Sequence, residues 1–188
     1  MPTTTLFLAS SSAAKSQAKA LASALTSETV SFLPWWDTFT PGQTLLAELD
    51  SLRNRAQGAL LVVTPETRAS IRGKDTEIPN LNVLFEFGFF YGAFGKDRVA
   101  IVKYGDVHLP NDLGGYIHIS GKTSFSRGKS TKPSQRTCTE FRRWVESPSF
   151  IAASSGSSGT VSMATTRTRD ELLDPGRRVI SRGISRIF

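Results

Sequence analysis

The sequence holds a single cysteine, Cys138, among 188 residues. No intrachain disulfide can form, no zinc site built from several cysteines exists, and the usage fits a reducing cytosol. Histidine is nearly as scarce: His108 and His118 stand alone, without a partner at metal-ligand spacing, so no metal is expected. Long apolar runs are missing as well. The longest, Val83 to Phe94, is interrupted by Glu86 and falls short of the roughly 20 residues that span a bilayer. The first apolar run, Leu6-Phe7-Leu8, is short and has no basic segment before it, unlike a signal peptide. A phosphate-binding loop with its lysine is also absent, because Gly121-Lys122-Thr123 lacks the preceding glycine at the required distance. The expectation is a soluble, cytoplasmic protein with no membrane contact.

What charge there is lies unevenly. The formal net charge is +7, yet residues 1–121 carry ten Lys/Arg against eleven Asp/Glu, while residues 122–188 carry thirteen against five. A near-neutral globular front is therefore followed by a basic segment. The expected organisation is one domain over residues 1–121, a basic stretch with a short helix over 122–151, and a Ser/Gly linker and basic tail over 152–188. The linker is marked by Ala152–Thr160 and the helix by Cys138–Glu146, where Phe141, Trp144 and Val145 supply an apolar face. An excess of positive charge in the tail suits an anionic partner, nucleic acid or protein, or else a solvated extension.

Within the front domain, strands alternate with helical segments. Thr5–Ala9 reads as a buried strand, Ser10-Ser11-Ser12 as an N-capping turn, and Ala13–Leu25 as a helix. Val30–Leu33 is a second strand, followed by a loop crowded with aromatics, Trp35, Trp36 and Phe39 among them. Leu45, Leu46, Leu49 and Leu52 recur at helical spacing over 43–56, and Ala59–Val63 is a continuous apolar strand. Glu66–Pro79 reads as a polar loop, Asn80–Phe94 as a helix, Val99–Val102 as a fourth strand and Tyr116–Ile119 as a fifth. This alternation predicts an α/β fold, a flavodoxin-like three-layer sandwich around a central, mainly parallel five-stranded sheet. Ligands of such sheets bind beyond the carboxyl ends of the strands, where the serine turn, the aromatic loop and the 64–79 loop converge.

One ionisable residue, Glu86, sits in the middle of the most apolar helix, with Asn82 one turn before it on the same face. A buried carboxylate costs several kcal/mol unless it is paired or used. Two readings fit: the face meets solvent and Glu86 solubilises it, or Glu86 lines a cleft among the flanking aromatics. Ser10 and Ser11, at a turn into a helix, either cap that helix or meet a phosphate group. Trp35, Trp36 and Phe39 either pack their loop or stack on a base. Asp112 follows Pro110-Asn111 in a turn and can cap a short helix.

The order of Ser10-Ser11-Ser12, Trp36 with Phe39-Thr40-Pro41-Gly42, Leu61-Val62-Val63-Thr64-Pro65, Asn82-Val83-Leu84-Phe85-Glu86-Phe87-Gly88 and Leu109-Pro110-Asn111-Asp112-Leu113 resembles the TIR-like domains of bacterial antiphage effectors. Those are the nucleotide-binding TIR-like domains of CBASS and Pycsar systems, joined to STING or other cyclic-nucleotide sensors. The resemblance covers about residues 4–120. Two positions depart from it: family members usually carry an arginine where Asn80 stands and an acidic pair where Glu66-Thr67 follow the Thr-Pro.

The resemblance implies a NAD+ glycohydrolase that cleaves the nicotinamide–ribose bond, with NAD+ as substrate and no cofactor. Glu86 would be the catalytic carboxylate, and Ser10, Ser11, Trp36, Phe39, Asn82 and Asp112 would bind substrate. It also implies partners: self-association through TIR-like domains, driven by a cyclic-nucleotide sensor domain or protein. Two other functions compete. A non-catalytic TIR-like module would bind a nucleotide or assemble without chemistry, leaving Glu86 dispensable. A nucleoside deoxyribosyltransferase shares the α/β layout and a glutamate at the ribose, but would prefer deoxynucleosides to NAD+.

Overall fold

The computed structural model describes residues 3–39, 42–110, 113, 117–121, 125–126, 129 and 132–155. Strands β1 (Thr4–Ser10), β2 (Val30–Pro34), β3 (Gly58–Val63), β6 (Val99–Lys103) and β7 (Ile117–Ser120) form one parallel sheet in the order β2-β1-β3-β6-β7. Between them run α1 (Lys15–Leu25), a single turn α2 (Trp35–Thr38), α3 (Leu45–Arg55) and α4 (Leu81–Phe94). After the sheet come α5 (Gln135–Val145) and α6 (Pro148–Ser155). Counted within the sheet, the strand order is 2-1-3-4-5, the flavodoxin-like arrangement, with its switch point between β1 and β3.

Strand geometry divides the core into two layers, because successive side chains point to opposite faces. Leu6, Leu8, Leu60, Val62, Ala100 and Val102 face α1, through Ala14, Ala18, Leu21 and Leu25, and also Phe141, Trp144, Val145 and Phe150. Phe7, Ala9, Ala59, Leu61, Val63, Val99 and Ile101 face α3 and α4, through Leu49, Leu52, Val83, Phe87, Phe90 and Phe94. The second layer is rich in rings, with Phe7 and Phe90 4.7 Å apart and Phe90 stacked on Phe94 at 5.4 Å. Gly58 admits no side chain: a Cβ there would lie 2.5 Å from the Arg98 carbonyl oxygen.

Residues 66–79, expected to be a loop, instead form an antiparallel hairpin of β4 (Thr67–Ile71) and β5 (Lys74–Ile78). Its turn lacks the usual sequence signal. Arg72 and Gly73 both have positive φ, 52° and 75°, the geometry of a two-residue type I′ turn, which Asn-Gly or Asp-Gly usually announces. The hairpin is also separate from the main sheet, so neither strand carries the apolar run of a core element.

The helix expected over 138–146 forms as α5, three residues earlier, and is fixed at both ends. Ser134 caps it by accepting from the Thr137 N–H, and the Thr137 hydroxyl donates to the Ser120 carbonyl at 2.7 Å. Glu140 accepts from the Ser120 N–H at 2.6 Å, and the Trp144 indole donates to the Asp97 carbonyl at 2.8 Å. α6 adds the fully buried Phe150 and runs to Ser155, into the stretch read as linker. Among the described residues no helix is long and apolar enough to cross a membrane.

Candidate functional site

At the switch point, β1 ends in Ser10 and β3 continues into Thr64-Pro65-Glu66. A half-buried carboxylate joins the two ends: Glu66 Oε1 accepts from the Ser11 hydroxyl and, at 2.6 Å, from the Thr64 hydroxyl. Ser11 Oγ also accepts from the Ala14 N–H at 3.2 Å, closing the turn that precedes α1. Helix α1 therefore begins at Lys15 rather than directly on the serines, and its N-cap residue, Ala14, offers no side-chain cap. Ser10 Oγ is engaged as well, accepting from the Trp35 indole N–H at 2.9 Å.

The aromatic segment after β2 is divided between the two layers. Trp35 and Phe39 pack against the α3/α4 layer, where Phe39 lies 6.4 Å from Phe7, whereas Trp36 packs against the α1 layer. The Lys15 ammonium sits over both indoles, 5.3 Å from the Trp35 ring and 5.5 Å from the Trp36 ring, with Lys19 5.8 Å from Trp36. Of the two tryptophans, Trp35 is the one bonded to a strand-end serine. Its counterpart Trp36, expected at the substrate, spends a ring face on lysines.

Helix α4 starts at Leu81 because Asn80 caps it, its Oδ1 accepting from the Asn82 N–H at 3.0 Å. Asn82 is exposed at this start. One turn on, Glu86 is only 7% exposed, and its Oε2 has no hydrogen-bond partner among the described residues. Desolvation raises its pKa from 4.5 to about 7. The solvent-facing reading of Glu86 is thereby set aside. A carboxyl held in apolar surroundings with an oxygen unsatisfied is unusual in a native core, where buried polar groups are paired. Such a group can change protonation near neutrality and can meet a cationic ligand with little competition from water.

Asp112 lies outside the described residues. A groove of about 690 Å³ runs between the hairpin, the start of α4 and the 108–110 segment, lined by Ile71, Thr76, Ile78, Leu81, Leu84 and His108 among others. Glu86 does not line it. Among the described residues no cluster of three His, Cys, Asp or Glu side chains is placed to hold a metal ion.

The parallel 2-1-3-4-5 sheet thus carries a buried glutamate on the helix before its fourth strand. The family model for the TIR domain of CAP12/Pycsar effector proteins matches residues 5–123, which take in all but the first residue of β1 and the whole of the other four strands. The chain belongs to that family. Over 91 residues the TIR chain is 33% identical to CD-NTase-associated protein 12 of Sphingobacterium faecium, covering 48% of this chain and 28% of that protein. It is 30% identical over 110 residues to the protein of the same name from a Lachnospiraceae bacterium, covering 58% and 35%. Against the Pycsar effector protein PaPycTIR of Pseudomonas aeruginosa it is 28% identical over 115 residues, covering 59% and 37%. The matches span about a third of the length of these relatives.

The sequence does not single out two groups that the fold of this TIR domain brings to the strand ends, Glu66 and the lysines of α1, nor the bond between Trp35 and Ser10. Glu66 was visible only as a departure from the family pattern. The lysines had a readable signal, since a helix that opens on a basic residue and has no acid in its first turn runs against its own dipole.

Proposed function

We propose that this TIR domain is the effector part of a CBASS- or Pycsar-type antiphage system and hydrolyses NAD+ between nicotinamide and ribose. The observation that carries the reading is the buried, unsatisfied carboxyl of Glu86 on α4. Nicotinamide is cationic in NAD+ and leaves neutral, so the reaction needs no general acid, and one carboxylate suffices where ordinary glycosidases use two. As the bond breaks, positive charge moves to the ribose. An ionised Glu86 beside it stabilises that charge, in surroundings where the interaction is stronger than in water. A carboxyl that titrates at about 7 is half protonated when free, and the cationic substrate draws it to the ionised form.

The small exposure of Glu86 supports a further part of the reading: the domain is restrained as a single copy and becomes active on assembly. Leu45 and Leu46 of α3, with Leu81 and Phe85 of α4, are exposed apolar side chains available for self-association. The trigger is a cyclic nucleotide sensed by another domain or protein, in keeping with the effectors that this chain is similar to. The same burial favours a second reading, an assembly module without chemistry, in which Glu86 is never reached.

Nicotinamide release, followed over a wide range of protein concentration with and without a crowding agent, tests the proposal. The rate per molecule is expected to rise with concentration. No release from demonstrably assembled protein supports the non-catalytic module instead.

A further inference from the structure

The corner where β1 and β2 end holds two lysines that make no ion pair among the described residues. Lys15 and Lys19 are one turn apart on α1, and their ammonium groups lie within 6 Å of the Trp36 ring, with Lys15 also over Trp35. Like charges at this spacing repel. Lys15 is moreover the first residue of its helix, where the dipole disfavours a cation, and the first turn contains no acid. Among the described residues the ion pairs are Arg53–Asp50 and Arg136–Glu140, neither of which is at this corner, and Asp37, exposed next to Trp36, pairs with neither lysine. The two indoles fix the ammonium groups in place without neutralising them.

The cluster is tied directly to the strand ends, since the Trp35 indole that carries Lys15 donates to Ser10. Ser11 is poorly suited to an anion, because its hydroxyl is spent on Glu66, whose negative charge would repel a phosphate; Ser10, which accepts from the Trp35 indole, is a single neutral donor beside it.

We propose that Lys15 and Lys19, held on the Trp35 and Trp36 indoles, form the anion-binding group of this site and take the pyrophosphate of a dinucleotide. The inference rests on the proposed NAD+ reading for the identity of the anion and adds to it the residues that bind the phosphates. Two ammonium groups one helical turn apart match two linked phosphates, and Trp36 serves as their platform rather than as a stacking surface for a base.

Binding tests this without requiring turnover. ADP and adenosine are titrated into the full chain by calorimetry, with a melting curve taken on each variant. The wild type is expected to bind ADP at least about tenfold more tightly than adenosine, as charge-assisted hydrogen bonds do. The advantage should be lost in the double variant Lys15→Gln/Lys19→Gln and largely kept in Lys15→Arg/Lys19→Arg. Lys19 is exposed and Lys15 is half-buried over the two indoles, so the melting curves establish that each variant compared is folded. Equal affinity of the wild type for ADP and adenosine, no binding of either at millimolar concentration, or an undiminished ADP preference in the Gln variant would each overturn the proposal. Nicotinamide release on the same samples separates it from the enzymatic reading. Lysine-dependent ADP binding without release sinks the enzyme and spares the anion site. Release with an unchanged KM in the Gln variant does the reverse.

Discussion

Glu86→Gln preserves the shape of the side chain while removing its charge, so its effect on stability isolates the cost of ionising this buried carboxyl. Glu86 titrates at about 7 in the fold and at 4.5 when solvated. Between these values the folded chain keeps a proton that the unfolded chain has released. The wild type therefore loses stability as pH rises through this window and levels off above about 7. The whole window corresponds to about 3 kcal/mol, at about 1.4 kcal/mol per pH unit. Less than about 1 kcal/mol of this has been lost at pH 5 and nearly all of it by pH 8. The variant has no such dependence, so its advantage over the wild type should widen by about 2–3 kcal/mol from pH 5 to pH 8. In a domain of this size that is a relative Tm change of roughly 5–10 °C. Paired urea unfolding curves at pH 5, 6, 7 and 8 measure it, provided the m-values agree. A difference that does not change with pH, or one that moves toward the wild type as pH rises, would mean that Glu86 is solvated or paired in the fold.

Three further outcomes are expected. Because the ionised form of Glu86 is the active one, kcat/KM for NAD+ should climb about tenfold per pH unit below about 7 and flatten above it; a flat profile from pH 5 to 8 contradicts this. Gly58→Ala forces a Cβ to within 2.5 Å of the Arg98 carbonyl oxygen and close to Leu6 and Phe150, and should destabilise the domain by about 1–3 kcal/mol or more, measured by denaturant unfolding. A neutral substitution there would show that the start of β3 is looser than described. Ending the chain at residue 133 removes Phe141, Trp144 and Phe150 from the α1 layer, and should abolish cooperative melting even though the family match ends earlier. A cooperative transition near that of the full chain would mean that α5 and α6 are dispensable to the core.

The parts of the fold that were legible are those where burial writes itself into composition. Residues 59–63 of β3 and 99–102 of β6 are covered on both faces and contain little else but Ala, Val, Leu and Ile. Helix α4 is apolar because it lies on the sheet, and Glu86 stood out against that background. The β4–β5 hairpin was illegible because its two strands pair with each other, apart from the main sheet, and ask nothing of the core. The pattern along Thr67–Ile78 is that of exposed polar chain, and Arg-Gly is a weak turn signal. At the site, the sequence could place serines, tryptophans and lysines near the strand ends but not their pairings. Which of two adjacent tryptophans reaches Ser10, and which carries the lysines, depends on the single turn of α2, and no periodicity reports that. The Ser11–Glu66 contact joins residues 55 positions apart and becomes visible only once β1 and β3 are neighbours.

The most direct measurement for the central claim is NAD+ consumption by the concentrated wild type and by Glu86→Gln, side by side, with ADP-ribose products and nicotinamide quantified. Removing one preorganised stabiliser of transition-state charge lowers turnover by about a hundredfold or more. The account predicts a loss of at least that size in a variant whose melting at pH 8 is equal to or higher than that of the wild type. A variant that cleaves NAD+ at the wild-type rate with its fold intact would contradict it, and would leave the buried carboxyl of α4 without a catalytic role.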